Sequence, residues 1–473
     1  MFRRTVLKAT GISAAAIAIA PFHYRRVLGA NSRIGIGFIG YGLIGSRHVA
    51  DFKREPDVDL VAMSDVHSQR QQQGLAAFGH ADAKGYSDFR KLLEDNRVHG
   101  VVISTPDHWH ALQAMLACDA GKDVYVEKPL TLFQREGQWL IRVSKRTKRI
   151  VQVGTQQRSG LHYQRAKAFL QSDGIGRIHS VRATSHRNIS PGFGTAADGE
   201  PPKELDWDMW LGPAPTRPYN PLRGIYHFRW YWDHAGGQMT NLGAHHLDIV
   251  DWICGLGSLQ SVTSIGGRLV LKDQSETPDT QETVFDLGQF TIGYSIRETS
   301  GGNSFTRFSE TGAESSATPS SLGLEFAGNK GQLSINRSRY RVVGDSANQP
   351  ESQIPGIGTH PAGGPSAPVS KSQRKQRIDS VEDNTGSDIE QFQNHVRNFL
   401  DCMASRTPPI SDVESAHRTA TACHLANISL RLGKQVRWDP VAEKVLNDTQ
   451  AQGMLTREYR SPWDRELRSV VDR

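Results

Sequence analysis

The chain has 473 residues, of which 37% are hydrophobic and 22% are charged. This length indicates two or three domains, and the composition excludes a wholly disordered chain and a polytopic membrane protein. The net charge is +7, but residues 1–30 hold five bases and no acid. The remainder of the chain therefore has 51 of the 56 bases and all 49 acids. Because that remainder is nearly neutral, we do not expect it to bind nucleic acid.

The first 30 residues have the layout of an export signal. A basic start is followed by an apolar run over residues 9–20, which is too short to span a bilayer. Residues 3–8, RRTVLK, resemble the twin-arginine signature R-R-x-F-L-K. We therefore predict a signal peptide over residues 1–30, export of the folded protein to the periplasm, and no stable membrane anchor after cleavage. A basic, frayed N-terminus is the alternative.

A dinucleotide-binding pattern follows the predicted signal. Residues 33–39 have the composition of a buried strand, Gly40, Gly42 and Gly45 form G-x-G-x-x-G, and residues 43–54 are typical of a helix. The next predicted strand ends at Asp65, at the spacing expected for a carboxylate that binds a ribose 2′-hydroxyl. Since Asp65 would repel a 2′-phosphate, the sequence favours NAD over NADP, although Arg70 leaves NADP open. A glycine-rich turn without a ligand is the alternative.

Strands and helices continue to alternate up to about residue 155. A predicted strand over residues 98–104 ends at Thr105, and a strand over residues 123–126 ends before Glu127, Lys128 and Pro129. This alternation indicates a right-handed parallel sheet, whose ligands bind at the carboxyl ends of the strands. We therefore predict a dinucleotide-binding domain over residues 31–155.

Three motifs in this region identify a family. GFIGYGLIGSRH, STPDHWH and VYVEKPL, in this order and spacing, resemble the Gfo/Idh/MocA oxidoreductases, and the resemblance runs from about residue 33 to residue 440. It implies an α/β Rossmann NAD-binding domain, then an α+β domain with a mostly antiparallel open sheet that often mediates dimerisation, so we expect a homo-oligomer. It also implies that Lys128 reaches the nicotinamide and the reacting hydroxyl, and that Pro129 is cis. The predicted cofactor-binding residues are Gly40, Gly42, Leu43, Ile44, Gly45, Asp65, Thr105, His110, Glu127 and Lys128.

Residues 156–440 form the predicted α+β domain. Short strands are predicted over residues 178–185, 260–266, 283–285, 289–296 and 331–335, and helical periodicity covers residues 387–432, with Gly433 as a C-cap. Residues 345–385 are rich in Pro, Gly, Ser and Gln and indicate a long surface loop. Residues 441–473 are predicted only as a C-terminal extension.

The densest polar pattern lies over residues 241–253, which we interpret as one helix. Asn241, His245 and Asp248 then share one stripe, whereas His246 falls in an apolar row and is interpreted as a packing residue. Asp248 is expected to orient His245. In the family an Asp and a His four residues apart complete the site with the lysine, but Asn241 occupies the Asp position and cannot accept a proton. Lys128 and His245 are therefore the candidate acid–base pair.

The residues before this helix suggest a carbohydrate site. Arg229 and the aromatic residues 230–232 suit a sugar, whose C–H faces pack on rings and whose hydroxyls or carboxylate bind arginine. A hydrophobic corner of the core is the alternative. No metal is predicted, because the adjacent His245 and His246 diverge on a helix. The predicted substrate-binding residues are Arg229, Asp233, Asn241, His245 and Asp248.

Together these features predict hydride transfer between NAD and a sugar or polyol hydroxyl, with Lys128 taking the hydroxyl proton. An exported enzyme has little free NAD, so we expect a tightly bound cofactor that is recycled in each turnover. One alternative is a redox-neutral enzyme that cleaves or epimerises a glycoside through transient oxidation. Another is a catalytically silent protein that binds NAD or sugar, since Asn241 departs from the family pattern.

Overall fold

The structure is a computed structural model that describes residues 33–300, 322–345 and 378–473. The signal peptide predicted over residues 1–30 and most of the loop predicted over residues 345–385 lie outside the described residues. Within the described ranges, no helix has the length and apolar character needed to cross a membrane.

The first half forms a parallel sheet with helices between its strands. Its elements are β1 (Ile34–Ile39), α1 (Leu43–Phe52), β2 (Val58–Ser64), α2 (Ser68–Phe78), β3 (Lys84–Tyr86), α3 (Phe89–Leu93), β4 (Gly100–Ile103), α4 (Asp107–Asp119), β5 (Asp123–Val126), α5 (Gln134–Thr147) and β6 (Val151–Val153). The strand order is β3-β2-β1-β4-β5-β6, with every neighbouring pair parallel. The order reverses between β1 and β4, which opens a crevice at the carboxyl ends of these strands.

The second half is built around a ten-stranded sheet. Its elements are a 3-10 turn (Gln156–Ser159), α6 (Leu161–Gln171), β7 (Ile178–His186), α7 (Trp207–Leu211), a second 3-10 turn (His227–Trp230), α8 (Gly237–Asn241), α9 (Gly243–Cys254), β8 (Ser261–Gly267), β9 (Thr280–Asp286), β10 (Thr291–Arg297), β11 (Leu322–Gly328), β12 (Gly331–Ile335), β13 (Tyr340–Gly344), β14 (Val381–Asp383), α10 (Asp388–Ser405), α11 (Val413–Leu432), β15 (Val436–Asp439), β16 (Lys444–Val445), α12 (Thr449–Gly453) and α13 (Trp463–Val471).

The strand order of this second sheet is β14-β13-β12-β11-β7-β10-β9-β8-β15-β16. Among the described strands of this second sheet, only the pair of β7 and β10 is parallel. The sequence-based fold class, a Rossmann domain followed by a mostly antiparallel sheet, is therefore confirmed. Burial alternates along the strands, because one face packs on helices: Phe285 and Ile292 are buried in one cluster with Leu247 and Val250 of α9.

The C-terminal helices return to the first domain, which the order of elements along the chain did not indicate. Phe399 of α10, in the segment predicted as part of the second domain, packs on Phe52 of α1 with ring centroids 6.3 Å apart. In the predicted C-terminal extension, Trp463 of α13 packs on Trp109 of α4, with ring centroids 4.7 Å apart. The described residues from Ile34 to Arg473 therefore form one compact unit.

Candidate active site at the carboxyl ends of the parallel strands

A cavity of about 390 Å³ lies at the carboxyl ends of β1, β2, β4 and β5, where α8 and α9 of the second domain close over it. Most of the predicted site residues line it: Gly40, Gly42, Leu43, Ile44, Asp65, Thr105, His110, Glu127, Lys128, Arg229, Asn241 and His245. The remaining three, Gly45, Asp233 and Asp248, do not line it.

One end of the cavity is shaped by the glycine turn between β1 and α1. Gly40 has a φ of +95°, and a Cβ there would lie 2.9 Å from the carbonyl of Ser104. A Cβ on Gly42 would instead enter the cavity, with Arg70 Nη1 as its nearest neighbour at 3.8 Å. No side chain caps the N-terminus of α1, so its first amides are available to a pyrophosphate. Gly45 acts by packing, since a Cβ there would lie 2.2 Å from the Gly40 oxygen.

Asp65 follows the end of β2, where its spacing from the glycine motif predicted a ribose-binding carboxylate. Its two oxygens accept hydrogen bonds from the backbone N–H groups of Tyr41, at 2.7 Å, and His67, at 2.8 Å. Burial raises the pKa of Asp65, although these two bonds oppose that shift. Each oxygen keeps a second lone pair, so the carboxylate remains able to accept from a ribose hydroxyl. The glycine turn and Asp65 thus fit a dinucleotide.

Two histidines hold the Glu-Lys-Pro segment in place. The ring nitrogens of His110 lie 2.7 Å from the Pro129 carbonyl oxygen and 2.8 Å from that of Thr105, so this ring bridges two strand ends. His48 Nε2 lies 2.7 Å from a carboxylate oxygen of Glu127, in a fully buried contact. The peptide bond preceding Pro129 is cis, which confirms what the resemblance implied.

The Lys128 ammonium lies in the cavity against Asn241. Its Nζ donates hydrogen bonds to the backbone oxygen of Asn241, at 3.0 Å, and to the side-chain Oδ1, at 2.9 Å. Burial lowers the pKa of Lys128 to about 8, because the charged form is poorly solvated. The charged groups that act on it are Glu127, Asp107, Arg229 and Arg337.

A break between α8 and α9 creates the Asn241 contact, and it corrects the prediction of one helix over residues 241–253. The N–H groups of His245 and His246 both bond to the carbonyl of Leu242, at 3.1 and 3.2 Å. In a continuous helix the His245 N–H would bond to Asn241 instead. The Asn241 carbonyl therefore remains free to accept from Lys128.

His245 lines the cavity, but Asp248 does not orient it as predicted. The Nδ1 atom of His245 is buried without a hydrogen-bond partner, and burial lowers the pKa of this ring well below its ordinary value. Asp248 instead pairs with buried Arg158, whose Nε and Nη2 each lie 2.8 Å from a carboxylate oxygen. Because a buried guanidinium requires a carboxylate partner, Asp248 is structural. His246 packs as predicted, with Nδ1 3.0 Å from the Tyr294 hydroxyl.

Asp233, predicted to bind substrate, pairs with Arg217 outside the cavity, with a Nε to Oδ2 distance of 2.8 Å. Arg229 does line the cavity. Its guanidinium lies 4.6 Å from the ring centroid of Phe228, and Nη1 donates to the Tyr226 carbonyl at 3.0 Å. These contacts occupy only part of its donor set, so Arg229 retains N–H groups for a ligand.

The aromatic residues beside Arg229 mostly follow the alternative interpretation. Trp230 and Tyr231 are 5% and 3% exposed and do not line the cavity, so they form the hydrophobic corner that the sequence left open.

Sequence reasoning missed several polar residues of the cavity, among them Asp107, Gln156 and Arg337. Asp107 follows Thr105 within STPDHWH, so its place in the motif is a signal that was available. Arg337 comes from the turn between β12 and β13, and no local pattern links this turn to the first domain. Among the described residues, no group of three or more His, Cys, Asp or Glu side chains is arranged to hold a metal ion.

Two family models match the chain. The model of an oxidoreductase family (Gfo/Idh/MocA) described as an NAD-binding Rossmann fold matches residues 34–155. The model of the C-terminal α/β domain of the same family matches residues 191–265 and 364–465.

Individual relatives agree with the family models. Inositol 2-dehydrogenase of Salmonella typhimurium is 33% identical over 156 residues, which are 33% of this chain and 46% of that protein. The chain thus spans less than half the length of this curated relative. Levoglucosan dehydrogenase in complex with NADH and levoglucosan superposes with a TM-score of 0.59 at 17% identity, covering 86% of this chain and 99% of that one. The WlbA dehydrogenase of Bordetella pertussis, in complex with NADH and UDP-GlcNAcA, gives 0.58 at 18% identity, with the same coverage.

The structural likenesses show the fold, and the family models cover both halves of the chain. The glycine turn, Asp65 and the Glu-Lys-Pro segment of this structure fit NAD, the cofactor of the matched Rossmann domain. The chain therefore belongs to the Gfo/Idh/MocA family of NAD-dependent oxidoreductases.

Proposed function

We propose that the protein oxidises a hydroxyl group of a sugar or polyol, with Lys128 as the base. The observation that carries this proposal is the position of Lys128 Nζ, held by two oxygens of Asn241 in the cavity that contains the glycine turn. A pKa of about 8 gives a substantial fraction of neutral amine near neutral pH, as a general base requires. The names of the relatives, inositol 2-dehydrogenase and levoglucosan dehydrogenase, support this substrate class.

Lys128, Asn241 and His245 have different roles in the proposed reaction. Neutral Lys128 accepts the proton of the substrate hydroxyl at Nζ, while Asn241 holds that atom in place. NAD, when bound, accepts a hydride from the carbon that bears this hydroxyl. His245 is kept neutral by burial, so it can accept a hydrogen bond from the same hydroxyl. The cavity would hold the substrate hydroxyl close to Lys128 and to bound NAD, and this proximity itself favours the reaction.

The N-terminal pattern supports a further part of the proposal, which is that the protein is exported folded to the periplasm. The twin arginines and the apolar run of residues 1–20 carry this inference. Because free NAD is scarce outside the cytoplasm, the cofactor would be loaded before export, tightly held, and returned to its starting state in each turnover.

A redox-neutral reaction is the second candidate, and Asp107 favours it. This carboxyl group lines the cavity, and burial raises its pKa, which favours the protonated form. In its protonated form this carboxyl would supply the acid that release of a glycosidic oxygen requires. Transient oxidation of a neighbouring carbon would then permit elimination, followed by reduction of the product.

The substitution Lys128→Met tests the assignment of the base. We expect the variant to lose at least about a hundredfold in kcat on a sugar or polyol panel while it still binds NAD, since a positioned base contributes about that much. NAD binding is measured by calorimetry, and Lys148→Met on the surface at the end of α5 is the control. A wild-type protein that binds NAD and turns over no member of the panel would favour the silent binder.

The amount of cofactor in the purified protein tests the closed cycle. The exported protein is denatured, and the NAD and NADH released are counted per chain. About one molecule per chain supports the recycled cofactor. Protein that is empty but responds to added NAD would identify a conventional dehydrogenase and contradict the closed cycle.

A further inference from the structure

A chain of hydrogen bonds leads from Lys128 into the second domain. Asn241 accepts from Lys128 through Oδ1, and its Nδ2 donates to Gln238 Oε1 at 2.9 Å. Gln238 Nε2 in turn donates to Glu298 Oε1 at 2.8 Å. Gln238 and Glu298 are each only 1% exposed, so water does not compete for these bonds. Three side chains thus connect the reacting amine to the end of β10.

The direction of this chain is fixed at its far end. Arg187 Nε donates to both carboxylate oxygens of Glu298, at 2.8 and 2.9 Å, and Arg187 Nη2 donates to one of them as well. A carboxylate paired with a guanidinium only accepts hydrogen bonds, so Gln238 must present its NH₂ group to Glu298. The Gln238 oxygen then faces Asn241, which must present its own NH₂ group there and its oxygen to Lys128.

The local backbone supports the same arrangement. Gln238 and Asn241 are three residues apart on α8, so their side chains lie on one face of the helix. The helix break after Asn241 releases its backbone carbonyl to Lys128 Nζ as well. Two oxygens of a single residue therefore accept from the same amine.

We infer that Gln238 and Glu298 are positioning residues that orient the Asn241 amide and, through it, the lone pair of Lys128. In the neutral amine both N–H groups donate to the two oxygens of Asn241, so the lone pair occupies the remaining tetrahedral position, away from Asn241. This inference rests on the proposed role of Lys128 as the base, because a lone pair directed at a hydroxyl matters only if it takes a proton.

The presence of asparagine rather than aspartate at position 241 explains why a chain of hydrogen bonds is needed to orient this side chain. An aspartate at position 241 would present an accepting oxygen to Lys128 in either orientation of its carboxylate. An amide has one accepting and one donating end, and a flipped Asn241 would point N–H groups at the lysine. Gln238 and Glu298 exclude the flipped state, since flipping would place the Asn241 oxygen against the Gln238 oxygen, with no hydrogen between these two acceptors.

The substitution Gln238→Met tests this inference, because methionine nearly preserves the volume but passes on no hydrogen bond. Lys128 is labelled with a small amine-reactive reagent across a pH series, with and without NAD, and the modified peptide is quantified by mass spectrometry. We expect the labelling midpoint to move to lower pH, since a freely rotating amide stabilises the ammonium less. We also expect kcat to fall by at least about tenfold, with KM changed by less than about threefold.

The matched control is Gln138→Met, which removes a similar contact outside the cavity. Gln138 Nε2 donates to Glu443 Oε2 at 2.6 Å, and neither residue lines the cavity. This variant is expected to keep the wild-type midpoint and kcat. The other titratable and charged groups around Lys128 are unchanged in both variants: Glu127, Asp107, Arg229, Arg337, His245 and Cys423.

Two more variants separate positioning from a structural role. Glu298→Gln removes the fixed acceptor and should move the midpoint in the same direction as Gln238→Met. Adding Asn241→Asp to the Gln238→Met variant should raise the labelling midpoint of Lys128, because the charge of the carboxylate favours the ammonium. At pH values above this midpoint kcat should be restored, because a carboxylate needs no orienting.

The inference is overturned if the labelling midpoint of Lys128 is the same in Gln238→Met as in the Gln138→Met control. It is also overturned if the double variant has no higher kcat than Gln238→Met alone. The labelling midpoint is read without turnover. A protein that oxidises no sugar therefore refutes the proposed function but leaves this test of the hydrogen-bond chain standing.

Discussion

Lys128 is a buried amine whose protonation is set by competing influences. Burial lowers its pKa to about 8 by making the ammonium costly, while the carboxylate of Glu127 acts in the opposite direction. The guanidinium of Arg229 contributes to the lowering, and the value of about 8 is the net result. Because the base must be neutral to accept a proton, the rate of oxidation should rise with pH through about 8 and then level off.

Arg229→Ala tests the electrostatic part of this account. Since the Arg229 charge lowers the pKa of Lys128, its removal should raise that pKa and move the rising limb of the pH profile of kcat/KM to higher pH. We also expect KM to increase by about tenfold, because the free N–H groups of Arg229 line the cavity. Arg223→Ala is the control, since that guanidinium lies over the ring of Tyr231, 5.1 Å from its centroid, outside the cavity. An unchanged profile would contradict this account.

Asp65→Asn tests the preference for NAD. The amide oxygen can replace only one of the two carboxylate oxygens that accept from the backbone N–H groups of Tyr41 and His67, and the charge that repels a 2′-phosphate is lost. We expect the Kd for NAD to rise by about tenfold or more and the Kd for NADP to fall, both measured by calorimetry. The exposed Asp82→Asn is the charge-matched control. Equal losses of affinity for NAD and NADP would show that Asp65 only holds the backbone turn and does not select between the two cofactors.

At the scale of elements, local patterns predicted most of the first domain but not the active-site helix pair. β5 and the helices after β1 and β4 follow from strand and helix periodicity that is local in sequence. The break after Asn241 leaves its carbonyl to Lys128, which lies 113 residues away, so no pattern local to the helix shows this contact. His245 and Asp248 do lie three residues apart on α9, but Asp248 pairs with Arg158 from the Gln156–Ser159 turn, and periodicity within the helix could not show this partner.

The buried pair that holds α9 to the Gln156–Ser159 turn gives a prediction at this scale. Arg158→Met leaves the Asp248 carboxylate buried without its partner, which should cost about 3–5 kcal/mol of unfolding free energy at about pH 8. Burial raises the pKa of Asp248 to about 6 even with Arg158 present, and loss of Arg158 should raise it further. A carboxyl group with a raised folded-state pKa stabilises the fold at low pH and loses that contribution as pH rises.

The loss in Arg158→Met should therefore be smaller at about pH 5.5 than at about pH 8, measured by urea unfolding at both. Arg165→Met is the control: its pair with Asp383 is half exposed, and we expect a change of about 1 kcal/mol or less. A loss that is independent of pH would show that Asp248 stays protonated or finds another partner.

At the scale of the whole molecule, the second domain supplies parts of the site that arise from pairing between distant segments. Arg337 reaches the cavity from the β12–β13 turn, and Glu298 follows β10, because strands far apart in sequence form one sheet. α10 and α13 likewise return to the first domain. Amphipathic periodicity shows that these helices bury one face, but it does not show which domain receives that face.

We predict that the protein self-associates through the face of the second sheet that is turned away from the helices. Ile265 of β8 and Val284 of β9 are 68% and 54% exposed and lie on the same face of neighbouring strands. Since apolar side chains on a sheet face favour burial against a partner, we expect the protein to form a homo-oligomer through this face. The double substitution Ile265→Glu, Val284→Arg should yield the 52.3 kDa monomer, or its processed form, in light scattering after gel filtration. Val441→Arg, at a 94% exposed position outside the sheet, should retain the wild-type mass. An oligomer that survives the double substitution would place the interface on another surface.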